Sequence, residues 1–436
     1  MIRFHGGRAL ALAILLLGAC GEKELILSGE RFDIREPTER VSATSEATPI
    51  RLSSQTNHSE WTHRAGTATH SIQNPSLSAA PAQIWAASIG KGADRKHRIT
   101  ADPVALAGRI FTLDSRSTVT ATSNTGVRLW SRDLTPASED TDDASGGGLA
   151  AVGNQVFVTT GFGELVTLNA DNGTEIWRQE LEAAATGAPT VTGGLVYVVT
   201  RSSRAWAIET DTGRVRWSLT GAPSASGVVG GAGPAVSDRL AVFPFGSAGL
   251  VATFPKGGLR VWGGSVSGTR LGRAYANVTD VSGDPVIIGD VIYVGNPSGR
   301  TVALDATTGE RIWTAQEGAI SPIWIDGGSL FLVSDQAQLV RLNAKTGERI
   351  WDVGLPYIVP KRRKKRLRDI YSHFGPVLAG DRLWVASNDG QLRGFDPLNG
   401  SLLATIALPG GGATRPIVVD GVLYVVNQNG QLLAFR

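Results

Sequence analysis

Short apolar stretches recur along most of the chain, and turn residues separate them. Four of these stretches lie at residues 194–200 (GLVYVVT), 290–296 (DVIYVGN), 328–334 (GSLFLVS) and 381–387 (DRLWVAS). Their β-branched and aromatic residues, together with their short lengths, are typical of strands. A shorter apolar strand precedes each, as at residues 284–288. Asn-Gly, Asp-Gly and Thr-Gly pairs between the stretches predict tight turns, so we expect an all-β chain with almost no helix.

A longer phrase repeats among these strands: an apolar residue, a polar residue, a Gly and, four residues after the Gly, a Trp. Its copies end at Trp130, Trp177, Trp217, Trp262, Trp313 and Trp351, a further copy has Ala404 in that place, and Trp85 stands in a strand without the preceding phrase. Trp85 and Trp351 are 266 residues apart over six intervals. The mean period of about 44 residues is that of a propeller blade.

Eight blades follow from this count, each an antiparallel sheet of four strands. The C-terminal stretch 421–436 supplies two strands but no outer strand with a Trp. We therefore expect the isolated strand around Trp85 to complete the last blade and close the ring, which removes an exposed edge. The tryptophans are expected to pack between neighbouring blades rather than to form a ligand cage. Each repeated Gly is expected to make the turn before its Trp.

The N-terminus has the features of a bacterial lipoprotein signal over residues 1–19. Arg3 and Arg8 precede an apolar run at residues 9–17, which is too short to span a bilayer, and the sequence Leu-Gly-Ala-Cys then ends at Cys20. We expect Cys20 to be acylated, for example with palmitate. Residue 21 is Gly rather than Asp, which by the usual sorting pattern addresses the lipoprotein to the outer membrane. Residues 20–76 are predicted to be a flexible, lipid-anchored tether, and residues 77–436 the propeller.

The amino-acid composition excludes several kinds of binding site. Cys20 is the only cysteine, which excludes an intrachain disulfide and a thiolate zinc cluster. The net charge of +3 is small. Because the chain is expected to be exported, a basic run is not expected to be a nuclear-localisation signal, and nucleic acid is not an expected partner. His58, His63 and His70 are irregularly spaced, so we expect incidental or exposed histidines rather than a metal site. No catalytic residue, metal or cofactor is expected.

The repeated Gly-x-x-x-Trp phrase resembles the tryptophan-docking repeats of the pyrroloquinoline-quinone (PQQ) dehydrogenase superfamily. With the lipoprotein signal and this length, the chain resembles the BamB family of outer-membrane lipoproteins. The resemblance implies a non-enzymatic scaffold of the outer-membrane β-barrel assembly complex on the periplasmic side of the outer membrane. Its implied partners are BamA periplasmic domains, other subunits of that complex and unfolded outer-membrane proteins, with the membrane reached through the lipid anchor.

Two other classes of function remain open. A PQQ-dependent dehydrogenase has a similar propeller, but that family uses an adjacent cysteine pair and a calcium site, and this sequence has one cysteine and no Asp-x-Asp-x-Asp run. A propeller that binds cell-wall glycan is the third possibility, since one fold hosts many functions.

Strand parity places all the long connections on one face. If the strands of a blade alternate in direction, the connection from an outer strand to the next blade always leaves from the same side. Four long connections, at residues 135–146, 220–232, 266–283 and 355–372, follow predicted outer strands. We expect binding residues on that face. One of these loops is acidic (Glu139, Asp140, Asp142 and Asp143), and another has a basic run formed by Lys361, Arg362, Arg363, Lys364, Lys365, Arg366 and Arg368.

The family resemblance also implies which loops meet BamA. It points to an apolar and arginine-bearing loop and to an Asp-x-Asp loop beside blades three to five. Here the corresponding positions are Val228 and Val229, without the arginine, and Asp280, with Ser282 in place of the second acid. The predicted partner site is therefore Val228, Val229 and Asp280. The basic run 361–368 is expected to be a second, electrostatic contact with an acidic protein domain or with lipid phosphates.

Overall fold

The computed structural model describes residues 48–224, 230–266, 268, 278, 280–360 and 369–436. Cys20, Val228, Val229 and the basic run 361–368 lie outside these residues, so the predictions made for them stay predictions. Residues 42–436 form one compact unit. The described part of the chain contains strands and turns but no helix, and thus no helix that could cross a membrane.

The described residues contain thirty-two strands, which form eight antiparallel sheets of four strands. Blades one to four comprise β2 (Val104–Leu106), β3 (Arg109–Leu113), β4 (Thr118–Ser123), β5 (Arg128–Asp133); β6 (Gly147–Val152), β7 (Gln155–Thr160), β8 (Glu164–Asn169), β9 (Glu175–Glu180); β10 (Thr190–Thr192), β11 (Leu195–Val199), β12 (Arg204–Glu209), β13 (Val215–Thr220); and β14 (Ala235–Val236), β15 (Ala241–Pro244), β16 (Gly249–Thr253), β17 (Arg260–Ser265).

Blades five to eight comprise β18 (Val286–Ile288), β19 (Val291–Asn296), β20 (Arg300–Asp305), β21 (Arg311–Ala315); β22 (Trp324–Asp326), β23 (Ser329–Val333), β24 (Gln338–Asn343), β25 (Arg349–Gly354); β26 (His373–Ala379), β27 (Arg382–Ser387), β28 (Gln391–Phe395), β29 (Leu402–Ala407); and β30 (Ile417–Val419), β31 (Val422–Val426), β32 (Gln431–Phe435), β1 (Gln83–Ser88). The inner strands, such as β2 and β6, lie beside one another around a central axis, and the outer strands are the most exposed. The fold is an eight-bladed β-propeller, as predicted.

Strand β1 completes the last blade. It pairs antiparallel with β32, with Trp85 opposite Ala434, and Ala82 and Arg436 exchange backbone hydrogen bonds of 2.8 and 2.9 Å. The predicted closure of the ring by the N-terminal strand is confirmed.

Each repeat Trp docks on the next blade. The indole Nε1 of Trp177, for example, donates to the Thr210 carbonyl at 2.7 Å, and the same bond recurs for the other six. The ring of Trp177 covers Gly213, where a Cβ would lie 2.8 Å from the indole. The repeated Gly therefore does more than make the predicted turn, because its missing side chain also admits the Trp of the preceding blade.

Ala404 stands where the other copies have a Trp, and the structure explains the replacement. A docking Trp needs a turn between the third and fourth strands of the following blade. The blade after β29 has no such turn, since its third and fourth strands, β32 and β1, come from opposite ends of the chain. No repeated Gly exists there to receive an indole.

A β-bulge accompanies every repeat Trp. The register of each outer strand shifts by one residue just before the Trp, so that Trp217 pairs with Ala207 and Val215 with Ile208, which leaves Arg216 unpaired. The same shift occurs in all eight blades, with Ala404 in place of the Trp in blade seven. Bulges increase local twist and re-aim side chains. In this propeller the bulge lies beside the Trp whose indole points toward the neighbouring blade.

Residues 48–76, which we name the crossing segment, correct the predicted tether. This segment packs on the propeller: Trp61 is fully buried and stacks on Trp324 with ring centroids 6.4 Å apart. It makes hydrogen bonds to the inner strand, or to the turn that follows it, in all eight blades. The contacts join Trp61 to Ala105, Thr62 to Ala151, His63 to Val191, Ala68 to Val236, Thr69 to Ile287, Ser53 to Asp326, Pro75 to Gly380 and His58 to Asp420. The tether prediction is wrong for residues 48–76, and residues 20–47 lie outside the described part.

Candidate functional site

The two faces of the propeller differ in their connections. We call the side with the first-to-second and third-to-fourth strand turns the turn face, and the side with the blade-to-blade connections the loop face. The four long connections follow β5, β13, β17 and β25, so they share the loop face as parity predicted. A fifth, at residues 89–103, follows β1. Sequence analysis missed it because β1 stood alone in the repeat pattern.

The acidic loop is tied to this fifth connection. Arg116 forms ion pairs with Asp142 and, at 3.5 Å, with Asp94, and the His97 ring lies 3.1 Å from the Asp142 carbonyl. The Asp142 carbonyl and the Asp94 carboxylate raise the pKa of His97. Part of the acidic charge is therefore compensated within the chain. Glu139 and Asp140 remain exposed at the rim of the loop face.

Asp280, a predicted partner contact, is buried. Only 4% of the residue is exposed, and its carboxylate lies 3.5 Å from the Ser224 hydroxyl and against Gly246, where a Cβ would come within 3.1 Å of Oδ1. Asp280 thus joins the loop after β13 to the loop after β17. In the isolated chain it positions these two loops, and a partner would meet the loop surface around it.

The flanks of the basic run form a short two-stranded arm on the loop face. Val359 N–H donates to the Asp369 carbonyl at 3.0 Å, and Tyr371 N–H donates to the Tyr357 carbonyl at 2.8 Å. Ile358 and Ile370 pair at its centre and are 48% and 51% exposed. The loop that bears the basic run therefore also exposes apolar side chains, which the charge pattern alone concealed.

A buried charge cluster holds the crossing segment at the propeller axis. Arg64 Nε lies 3.2 Å from Asp102 and its Nη1 lies 3.1 Å from Asp284. Asp102 also accepts from the Arg415 backbone at 2.8 Å, and Asp284 accepts from Gly233 N–H at 2.6 Å. Burial alone would lower the pKa of Arg64, but Asp284 and Asp102 raise it. Because Arg64 faces two carboxylates, it joins the crossing segment to the connections that lead into blades one and five.

Two of the three predicted incidental histidines are structural. His63 and His70 are buried, and His58 is partly exposed. Val191 N–H donates to His63 Nε2 at 3.0 Å, and the His70 ring lies 2.8 Å from the Pro285 carbonyl. Burial lowers the pKa of both imidazoles. Among the described residues, no group of three or more His, Cys, Asp or Glu side chains is placed to hold a metal ion.

Comparison with known proteins identifies the family. A family model described as outer membrane protein assembly factor BamB matches residues 115–353 and 362–436. The chain belongs to the BamB family. The BamB protein of Shewanella oneidensis is 28% identical over 81% of this chain and 88% of its own length, and that of Yersinia pestis is 23% identical with the same coverage.

Solved structures agree with the family fold. BamB from Moraxella catarrhalis aligns with 82% of this chain and all of its own, with a TM-score of 0.66 and 19% identity. A quinohemoprotein alcohol dehydrogenase from Comamonas testosteroni aligns with 86% of this chain and 80% of its own, with a TM-score of 0.67 and 15% identity. At these identities the likeness concerns the propeller fold alone, which BamB proteins share with PQQ enzymes.

Proposed function

We propose that this chain is a non-enzymatic scaffold of the outer-membrane β-barrel assembly complex. It acts at the periplasmic side of the outer membrane, held there by lipid on Cys20, and assists the folding and insertion of outer-membrane proteins. The observation that carries the proposal is the match to the BamB family model over residues 115–353 and 362–436. The lone cysteine supports a non-enzymatic role, because the adjacent cysteine pair of the resembling dehydrogenases cannot be formed.

The loop face is the proposed site for BamA periplasmic domains. Val228 and Val229 supply the apolar contact, and Asp280 orders the loops that present it. The basic run 361–368, with the exposed arm at its base, supplies a second contact to an acidic domain. Apolar anchors commonly contribute about 2 kcal/mol or more each, whereas rim charges mainly change association rate and salt dependence.

Co-purification from detergent-solubilised membranes tests this proposal. We expect BamA to be recovered with the wild-type chain and lost with Val228→Asp combined with Val229→Asp at any salt concentration. Neutralising the basic run should lower recovery mainly at low salt. Asp280→Asn keeps the shape of the buried residue but removes its charge. Circular dichroism of this variant, compared with its BamA recovery, separates the positioning of the loops from a direct contact with BamA. Unchanged BamA recovery with the double Val variant would move the site elsewhere, and recovery of cell-wall fragments instead of BamA would favour a glycan-binding propeller.

The lipid anchor has its own test. Radiolabelled palmitate should enter the wild-type protein, and Cys20→Ser should remain soluble in the periplasm or be retained at the inner membrane. Absence of label from the wild-type protein would remove the anchor from the proposal.

A further inference from the structure

One turn between a third and a fourth strand on the turn face departs from its six counterparts. In most blades the residue four positions before the repeated Gly has a polar side chain that caps the turn. Asn169, Asp305 and Asn343 each accept a bond of 2.9 Å from the backbone N–H two residues later. Blade four has Phe254 in this place, and the backbone bond from Gly258 N–H to the Phe254 carbonyl, 2.9 Å, is kept. The turn therefore forms without needing the aromatic ring.

This blade-four turn, residues 254–259, exposes its apolar side chains. Phe254 is 52% exposed, and Leu259 is 68% exposed, the highest value among the large apolar residues described. Phe254 N–H donates to the Leu259 carbonyl at 2.9 Å, which holds the two side chains at one tip. Blades five and six have Glu310 and Glu348 where blade four has Leu259. Folding does not explain two bare apolar groups at this position.

Basic residues flank the tip. Lys256 lies within the turn and Arg260 follows it, and both are exposed. An open groove of about 880 Å³ runs beside Phe254 and Val261, and its wall carries Asp238 together with Arg239, which is paired with Asp290. Aromatic and aliphatic groups beside lysine and arginine are the composition of segments that dip into the interface of an anionic membrane.

The position of Thr48 points to the same face of the propeller. The carbonyl of Thr48 accepts a bond of 2.9 Å from Arg341, which also donates to the Leu398 carbonyl in the blade-seven turn. Thr48 therefore lies on the turn face. The lipid proposed for Cys20 is joined to the propeller through this residue, which in this proposal brings the turn face, rather than the loop face, toward the bilayer.

We propose that the turn face rests on the phospholipid surface through the blade-four turn, with Phe254 and Leu259 in the interface and Lys256 and Arg260 at the headgroups. This proposal rests on the lipid anchor of the proposed function. It directs the loop face, and with it the basic run 361–368, away from the membrane toward the periplasm. An acidic protein domain is then the partner of the basic run, and the lipid-phosphate alternative is disfavoured.

The first test uses the lipidated protein in vesicles of phosphatidylethanolamine and phosphatidylglycerol at three to one. Acylation occupies Cys20, so Leu259→Cys can be labelled alone with an environment-sensitive fluorophore and quenched by doxyl-labelled lipids. Glu310→Cys, at the equivalent position of blade five, and Glu139→Cys, on the loop face, are the controls. We expect quenching at residue 259 to exceed that at residue 139 at least threefold, with residue 310 between. Equal quenching at 259 and 139, or stronger quenching at 139, would overturn the orientation.

The second test does not depend on the anchor. Soluble Cys20→Ser protein should co-sediment weakly with the same vesicles at low salt, and Phe254→Ser with Leu259→Ser should lower the bound fraction at least threefold. Val127→Ser, an exposed apolar residue in the blade-one turn, should leave binding unchanged. Failure of the wild-type protein to float with vesicles would refute the anchor, whereas equal binding by the Cys20→Ser protein and its Phe254/Leu259 variant would refute the membrane contact.

Discussion

Trp61 gives the sharpest test of the crossing segment. If residues 48–76 were a tether, Trp61→Ala would leave stability unchanged. In the structure the side chain is fully buried in the largest core cluster, against Trp324. Truncating a buried Trp to Ala costs about 3–5 kcal/mol. For a cooperative unit of about 390 residues, an unfolding entropy of about 2.1 cal/mol/K per residue converts this cost to a fall in Tm of about 4–6 °C.

Two further variants sharpen the measurement, which is differential scanning calorimetry of the purified proteins. The indole Nε1 of Trp61 has no hydrogen-bond partner, so Trp61→Phe keeps most of the packing and removes a buried, unsatisfied donor. We expect it to cost less than about 1.5 kcal/mol. Val127→Ala, at a residue 59% exposed, should change stability by no more than about 0.5 kcal/mol. A Tm for Trp61→Ala equal to that of Val127→Ala would refute the packing of the crossing segment.

The docking of each Trp can be tested with two glycines that both have positive φ. Gly213→Ala pushes a Cβ into the Trp177 ring, whereas Gly193→Ala meets no atom within 4 Å, so thermal melts should show a larger loss for the first; equal losses would argue against docking. Deleting Gln83–Ser88 should open blade eight and broaden the urea unfolding transition, and an unchanged transition would contradict the closure. Burial lowers the pKa of His63 to about 3, so below pH 6.5 the unfolded chain binds more protons and stability falls as the pH drops; His63→Gln should flatten the dependence of Tm on pH between 7 and 4.

The repeat could be predicted because its geometry leaves a mark on each copy. An indole that covers the backbone of the next blade requires a Gly there, and the two requirements recur with one spacing in seven turns. The exception at position 404 is explained by the structure, since the last blade lacks the turn that would receive a Trp. The spacing could not show that each Gly receives the Trp of the preceding blade rather than the Trp four residues after it in the same blade.

The crossing segment escaped prediction because its order does not come from an apolar pattern. Most of its contacts are hydrogen bonds to backbone groups of the inner strands, and few of its side chains besides Trp61 and Ala65 are both apolar and buried. Its polar composition is that of a tether. The burial of Asp280 could not be predicted either, because only the fold brings Ser224 of another loop against it; its role as a partner contact stays a prediction.

The path of the chain from the N-terminus also has a mechanical consequence. A pull on the chain from its N-terminal side would reach the crossing segment at Thr48 before it reached β1, and the contacts with all eight blades lie between them. These contacts include the buried Trp61 and the ion pairs of Arg64, so they would have to break before β1 could be peeled from β32. The crossing segment would therefore protect the closure of the ring from such a load.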